Sequence, residues 1–179
     1  MGIHQDMSLR DRLDGLDIGS LRVLDLGCGY NKNRIARVVL QLPFRHLTSV
    51  DVHRPCLDAL EKRQVKAEKH SIVQSEALSY LATPGLEFDV TLLLDVLEHF
   101  TSSDAIKLLA AIEAITCKRI IIFLPIGKCS QGIYDDNPYQ IHRTTWEVKD
   151  LLDLGFEVCF LPNFHKHLRA DAAWAVKNL

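Results

Sequence analysis

The stretch Val23-Leu24-Asp25-Leu26-Gly27-Cys28-Gly29-Tyr30-Asn31 decides how the chain is read. It is a short apolar run, β-branched at its start, that ends in a carboxylate and two spaced glycines and passes at once into a helical pattern. A backbone that must reverse there needs residues that accept a positive φ, which glycine does without steric penalty. The glycines also remove Cβ atoms that would hold a ligand away from the backbone N–H groups at the positive end of the next helix. A second apolar run, His46 to Val52, ends in Asp51. Together the two strand ends describe a crevice for a nucleoside, with the Asp51 carboxylate accepting hydrogen bonds from vicinal ribose hydroxyls. A dinucleotide turn carries a third glycine where this chain has Lys32, so a pyrophosphate would lose its close approach to the helix.

Outward from this turn, strands and helices alternate. Ile35, Val38, Val39 and Leu42 recur at helical spacing, Asn31 or Asn33 is placed to cap them, and Pro43 ends the run. Pro55 sits in the first turn of a helix carrying Leu57, Leu60 and Val65. Lys69 to Gln74 reads as a third strand, followed by Ser75-Glu76-Ala77, a helical turn through Leu81 and a break at Thr83-Pro84-Gly85. Phe88 to Leu94 is apolar on both faces except for Thr91, as in the middle of a parallel sheet, and ends at Asp95. A helix over Ser102 to Ile115 is expected to bury Ile106, Leu109, Ala110 and Ile112, and a fifth strand, Arg119 to Leu124, to stop at Pro125. The loop over 125–143 is long enough to read as a functional lid. Thr144-Thr145-Trp146-Glu147 has capping-box spacing before a helix through Leu154 closed by Gly155, and Phe156 to Leu161 and Ala170 to Val176 read as the last strands. Leu9, Leu13 and Leu16 place a helix within about residues 6–16, so 1–20 form an N-terminal helical extension and 21–179 one domain.

This alternation predicts an α/β fold, a doubly wound, mostly parallel sheet with helices on both faces. Ligands of such sheets bind beyond the carboxyl ends of the strands. Asp25, Asp51, Asp95 and the loop after Leu124 all lie there. A chain of 179 residues buries a core without staples. Its net charge of −2 gives no basic excess for a nucleic-acid backbone, which argues against a duplex partner. Five cysteines, none spaced as C-x-x-C, argue against a disulfide framework or a zinc knuckle and for a reducing, cytoplasmic setting. No apolar run reaches the ~18 residues of a membrane helix.

Val-Leu-Asp-Leu-Gly-Cys-Gly (23–29), Ser-Val-Asp-Val (49–52) and Asp-Val-Leu-Glu-His-Phe (95–100) resemble the class I S-adenosylmethionine-dependent methyltransferases. The resemblance runs from about Leu21 to Leu161. It implies a Rossmann-like sheet of seven strands with the last antiparallel, and S-adenosylmethionine as cofactor. It further implies that Gly27, Cys28 and Gly29 approach the cofactor through backbone, and that Asp51, with Val52 beside it, binds the ribose. Glu76 and Ala77 would meet the adenine, with Glu76 departing from the usual aspartate. Asp25 and Asp95 would lie near the methionine amino group and the edge of the fourth strand.

A sulfonium methyl is already electrophilic, so the protein need only align a nucleophile, exclude water and, where the nucleophile is protonated, supply a base. His99 and His142 are the candidates. On a second reading Asp95, Glu98, His99 and His142 form a mixed O/N metal site, since Asp95-x-x-Glu98-His99 resembles the Glu-x-x-Glu-His run of metal-dependent RNA 3′-terminal methyltransferases, with Asp for the first Glu. The same Leu-Glu-His segment occurs in metal-free small-molecule enzymes, and the expectation is that no metal is required. Asn137-Pro138-Tyr139 and Pro55-Cys56 look like motifs of DNA methyltransferases but follow the wrong strands, and are expected not to reach the methyl. Tyr134, Asp135, Asp136, Tyr139, His142 and Trp146 offer polar and aromatic surface for a small acceptor such as a sugar. The expected activity is methyl transfer to an oxygen or nitrogen of a small molecule. An RNA 3′-end enzyme, a nicotinamide oxidoreductase and a non-catalytic partner protein stay open as alternatives.

Overall fold

The computed structural model describes residues 9–29, 34–133, 136–165 and 170–179. The proposed caps Asn31 and Asn33, the side chain of Ile35, and Tyr134 and Asp135 fall outside that set. Seven strands make one sheet: β1 (Arg22–Leu26), β2 (His46–Asp51), β3 (Lys69–Gln74), β4 (Phe88–Leu94), β5 (Thr116–Ile126), β6 (Glu157–His165) and β7 (Ala170–Asn178). Their order is β3-β2-β1-β4-β5-β7-β6. β1 to β5 pair in parallel, and β7 inserts antiparallel between β5 and β6. This is the doubly wound sheet with one antiparallel last strand that the sequence predicts.

The chirality of parallel crossovers divides the helices between the two faces. On one face α4 (Ala77–Leu81), α5 (Ser102–Ile115) and α6 (Val148–Asp153) cover Leu24, Leu26, Ile120, Ile122 and Leu124. On the other, α1 (Leu9–Arg12), α2 (Arg34–Leu40) and α3 (Arg54–Glu61) cover Val23, Leu92, Ile121, Phe123 and Trp174. The N-terminal segment is built into this second layer: Leu9 and Leu13 are fully buried, and the Arg119 guanidinium donates to the carbonyls of Arg12 and Asp14. Among the described residues its helix ends at Arg12, short of Leu16, and Gly15, at φ 77°, turns the chain away. No helix among the described residues is long and apolar enough to cross a membrane.

Several boundaries differ from expectation. β5 passes through Pro125, which is tolerated because β4 ends its pairing at Leu94–Phe123 and leaves Pro125 a neighbour only in β7. β6 continues past Leu161 to His165 across a register irregularity. The capping box is one turn later than expected: the Glu147 N–H donates to Asp150 Oδ2, while the Thr144 hydroxyl donates to the carbonyl of Phe100. On α5 the buried stripe is Ala105, Leu108, Leu109 and Ile112; Ile106 and Ala110 are exposed, one residue around the helix.

Between β4 and β5 the buried hydroxyls of Thr91 and Thr116 lie 2.7 Å apart. Removing one partner strands the other, whereas removing both leaves nothing unpaired. Thr91→Val is therefore expected to lower unfolding free energy by about 1–3 kcal/mol. The double variant with Thr116→Val should recover most of that loss in a denaturant titration.

Candidate active site

The turn after β1 is held by β2. The N–H groups of Gly27 and Cys28 both donate to the carbonyl of Val50, at 2.8 and 3.0 Å. Gly27 adopts φ 74°, and a Cβ there would stand 2.8 Å from a methyl of Val96, so the turns after β1 and β4 touch at this glycine. Asp51 completes the corner: its Oδ2 accepts from the Gly29 N–H at 2.7 Å and its Oδ1 from the His53 N–H at 2.8 Å.

The turn after β4 is as tightly fixed. Asp95 takes φ 58° while its N–H donates to the Phe123 carbonyl at 2.8 Å, and Leu97–His99 form a 3-10 turn. The loop after β5 folds back over this turn. The carbonyl of Glu98 accepts from the N–H groups of Arg143 and Thr144, at 2.7 and 3.2 Å, and the His142 N–H donates to the carbonyl of Gln131. The expected lid is thus a built wall. Its two sides bring the rings of His99 and His142 edge to face, with centroids 5.1 Å apart.

A crevice opens along the carboxyl edge of the sheet. Of the predicted residues, Gly27, Asp51, Val52, Glu76, Ala77, Asp95 and His99 line it. Asp25 lies beneath, 2% exposed, and its Oδ2 has no hydrogen-bond partner among the described residues. Cys28 turns its thiol into the apolar layer on the α1–α3 side, and Gly29 is engaged with Asp51. His142 stands behind His99 and faces a second, outer pocket with Cys129, Gln131 and Thr144. Trp146 belongs to the core at 4% exposed, so it offers no acceptor surface.

Other lining residues were not singled out in the sequence. Thr101 and Asp104 arrive on the first turn of α5, and Gln140 and Arg143 on the folded-back loop. Tyr139, one of the residues expected to offer acceptor surface, lines the crevice, and Asn137 lines it too. Asn137 is buried, its Oδ1 accepting from the Tyr139 N–H. No local pattern marks such residues, because the hydrogen bonds to the Glu98 carbonyl bring the loop here.

Burial dominates the electrostatics. It pushes the Asp25 carboxyl up to about 7, with the nearby charge of Asp51 adding to the effect. Asp95 and Glu98 are raised for the same reason, Glu98 also by Asp95, and the Cys28 thiol is pushed up by burial and then by Asp25 and Asp51. Burial, with His142 beside it, lowers His99 to about 4, so its imidazole is neutral at neutral pH.

A family model described as a methyltransferase domain matches residues 24–121, more than half of the chain. The chain belongs to this family, the class I S-adenosylmethionine-dependent methyltransferases. No curated protein matches it. Among solved structures it is similar to magnesium protoporphyrin IX methyltransferase from Synechocystis PCC 6803 with bound SAH, at TM-score 0.62 and 17% identity over 90% of this chain and 76% of that one. The N-methyltransferase NodS from Bradyrhizobium japonicum WM9 aligns at TM-score 0.65 and 12% identity, over 95% and 90% of the two chains. The methyltransferase domain of bacterial CtHen1-CN aligns at 0.58 and 20%, over 96% and 95%. At such identities the likeness is one of fold.

Asp25 gives a pH signature. Its folded pKa of about 7 lies above the ordinary 3.8, so the folded state holds the proton more tightly between these values. Stability is therefore lost as pH rises from about 4 to about 7, by about 4 kcal/mol in all. Asp25→Asn is expected to melt at a higher temperature than the wild type at pH 8, with the gap closing toward pH 4.

Proposed function

We propose that the crevice transfers a methyl group from S-adenosylmethionine to an oxygen or nitrogen of a small polar acceptor. The observation that carries this reading is the corner at Asp51. Both carboxylate oxygens already hold a backbone N–H, and each keeps a lone pair for a ribose hydroxyl on the crevice side. The backbone of Gly27, Cys28 and Gly29 follows the cofactor, Val52, Glu76 and Ala77 flank the adenine, and Asp25 and Asp95 offset the positive amino-acid end. Beyond them the wall is polar, with Asn137, Tyr139, Gln140 and Arg143, which suits a small hydroxylated acceptor better than an apolar one. Two of the similar structures are named for protoporphyrin and N-methyl transfer, which fits a small-molecule acceptor.

In the transfer, an acceptor lone pair forms the new bond to the methyl carbon while the carbon–sulfur pair returns to sulfur, and the proton of a hydroxyl or amine acceptor passes to the neutral imidazole of His99. Alignment supplies most of what this step needs. His99 faces the reactive atom with a neutral imidazole, and His142 steadies that ring from behind.

The test is calorimetric titration with S-adenosylmethionine and S-adenosylhomocysteine, with NADH as control. Binding of the two adenosyl ligands alone is expected; no binding of either overturns the reading. Asp51→Ala should weaken S-adenosylhomocysteine binding by about 1.5–3 kcal/mol, the range for hydrogen bonds to a charged group. Unchanged affinity would remove Asp51 from the ribose. His142→Ala should keep cofactor affinity and lose turnover once an acceptor is found in a methyl-transfer screen.

A further inference from the structure

We propose that Arg143 holds an anionic group of the acceptor, a carboxylate or a phosphate, so that the substrate is a small acid and not a neutral polyol. The inference deepens the methyltransferase reading and rests on it. Arg143 lines both the cofactor crevice and the outer pocket, and among the described residues it is the one member of both walls. It is also the one arginine or lysine among the described residues that line either. An acceptor anchored there stands where the two cavities meet and extends into the crevice that His99 lines.

The backbone of this arginine is fixed while its side chain is not engaged. Its N–H donates to the Glu98 carbonyl at 2.7 Å, and Thr144 is tied by its N–H to the same carbonyl and by its hydroxyl to the carbonyl of Phe100. Asp104 lies close enough to feel the charge of Arg143, yet both of its oxygens are taken: Oδ1 by the Lys107 ammonium and Oδ2 by the Thr101 hydroxyl, each at 2.9 Å. Among the described residues no carboxylate pairs with Arg143 and no acceptor holds its guanidinium. That charge is permanent, and its donors form a planar fork that matches two oxygens of a carboxylate or phosphate.

The surroundings keep the acids of the crevice away from an anion held there. Asp51 and Glu76 follow β2 and β3, on the other side of β1 and β4 from the loop that carries Arg143. Asp51 moreover holds the N–H groups of Gly29 and His53. The outer pocket has no carboxylate among its described lining residues; Ser130 and Thr145 bring hydroxyls to it and Gln131 an amide. Such groups donate to an oxyanion as readily as they donate to water. A neutral acceptor of the same size leaves the guanidinium in water and gains little, whereas an acid gains a charge-assisted, bidentate contact. Arg143 is exposed, so this gain is screened by salt.

The test titrates the full chain, saturated with S-adenosylhomocysteine, by calorimetry at low salt with glucose, glucuronate and glucose 6-phosphate, which differ only at the sixth carbon. At least one anion is expected to bind about 10-fold or more tightly than glucose, the scale of a hydrogen bond to a charged group. Which of the two binds better tells a carboxylate from a phosphate. Arg143→Ala should abolish the preference and Arg143→Lys keep part of it. S-adenosylhomocysteine affinity should stay within a factor of about two in both variants, as for sites that do not touch, which shows that they are folded. Equal affinity for the three sugars, binding of neither anion, or a preference that Arg143→Ala leaves intact overturns the inference. The same titrations without S-adenosylhomocysteine separate the two readings. An anion preference that depends on Arg143, in a chain that binds no adenosyl ligand, would keep the anion site and sink the methyltransferase role assigned to it.

Discussion

The Asp51 carboxylate holds this structure's functional edge together. It sits at the end of β2, yet it accepts one N–H from the turn after β1 and one from the start of the next crossover. Parallel strands bring their carboxyl ends to one edge but leave the loops there free to diverge. A charged acceptor shared by two loops removes that freedom, because each N–H···O⁻ bond is short and stronger than a neutral one. The glycine turn gains a second tether from the Val50 carbonyl, and its backbone is thereby presented to the crevice as a rigid surface.

The same edge concentrates negative charge against burial. Asp25, Asp95 and Glu98 are all raised above the ordinary carboxylate range, chiefly by desolvation. Folding alone does not favour such an arrangement, since taking a carboxylate out of water costs free energy. It becomes favourable when cationic groups arrive. A sulfonium and an ammonium would come with the cofactor. Part of the fold's stability is in this way handed to its ligands.

The loop after β5 connects the two halves of the site. It carries few apolar anchors, and its conformation is fixed mainly by hydrogen bonds: to the Glu98 and Phe100 carbonyls, and internally through Gln131. One element therefore sets the position of the whole wall. Trp146, by contrast, drops into the core and anchors the far end of the loop beside α6. An aromatic residue in a loop is not thereby a binding residue.

Much of this was written locally. The apolar runs of β1, β2 and β4, the glycines at 27 and 29, and the acids at the strand ends are short-range patterns, and together they determine a parallel sheet with a nucleoside crevice on one edge. Asp51, Glu76 and His99 reach that crevice because strand direction alone dictates where a carboxyl end lies. What only the tertiary structure decided depends on contacts between residues far apart in the chain. It extended β5 through Pro125, since proline is harmless once its neighbour on one side has ended. It brought Asn137, Gln140 and Arg143 to the crevice and placed His142 against His99, because the loop closes on the carbonyl of Glu98 rather than on any local signal. Sequence patterning thus determined the sheet and its cofactor edge, while long-range backbone hydrogen bonds determined the acceptor end.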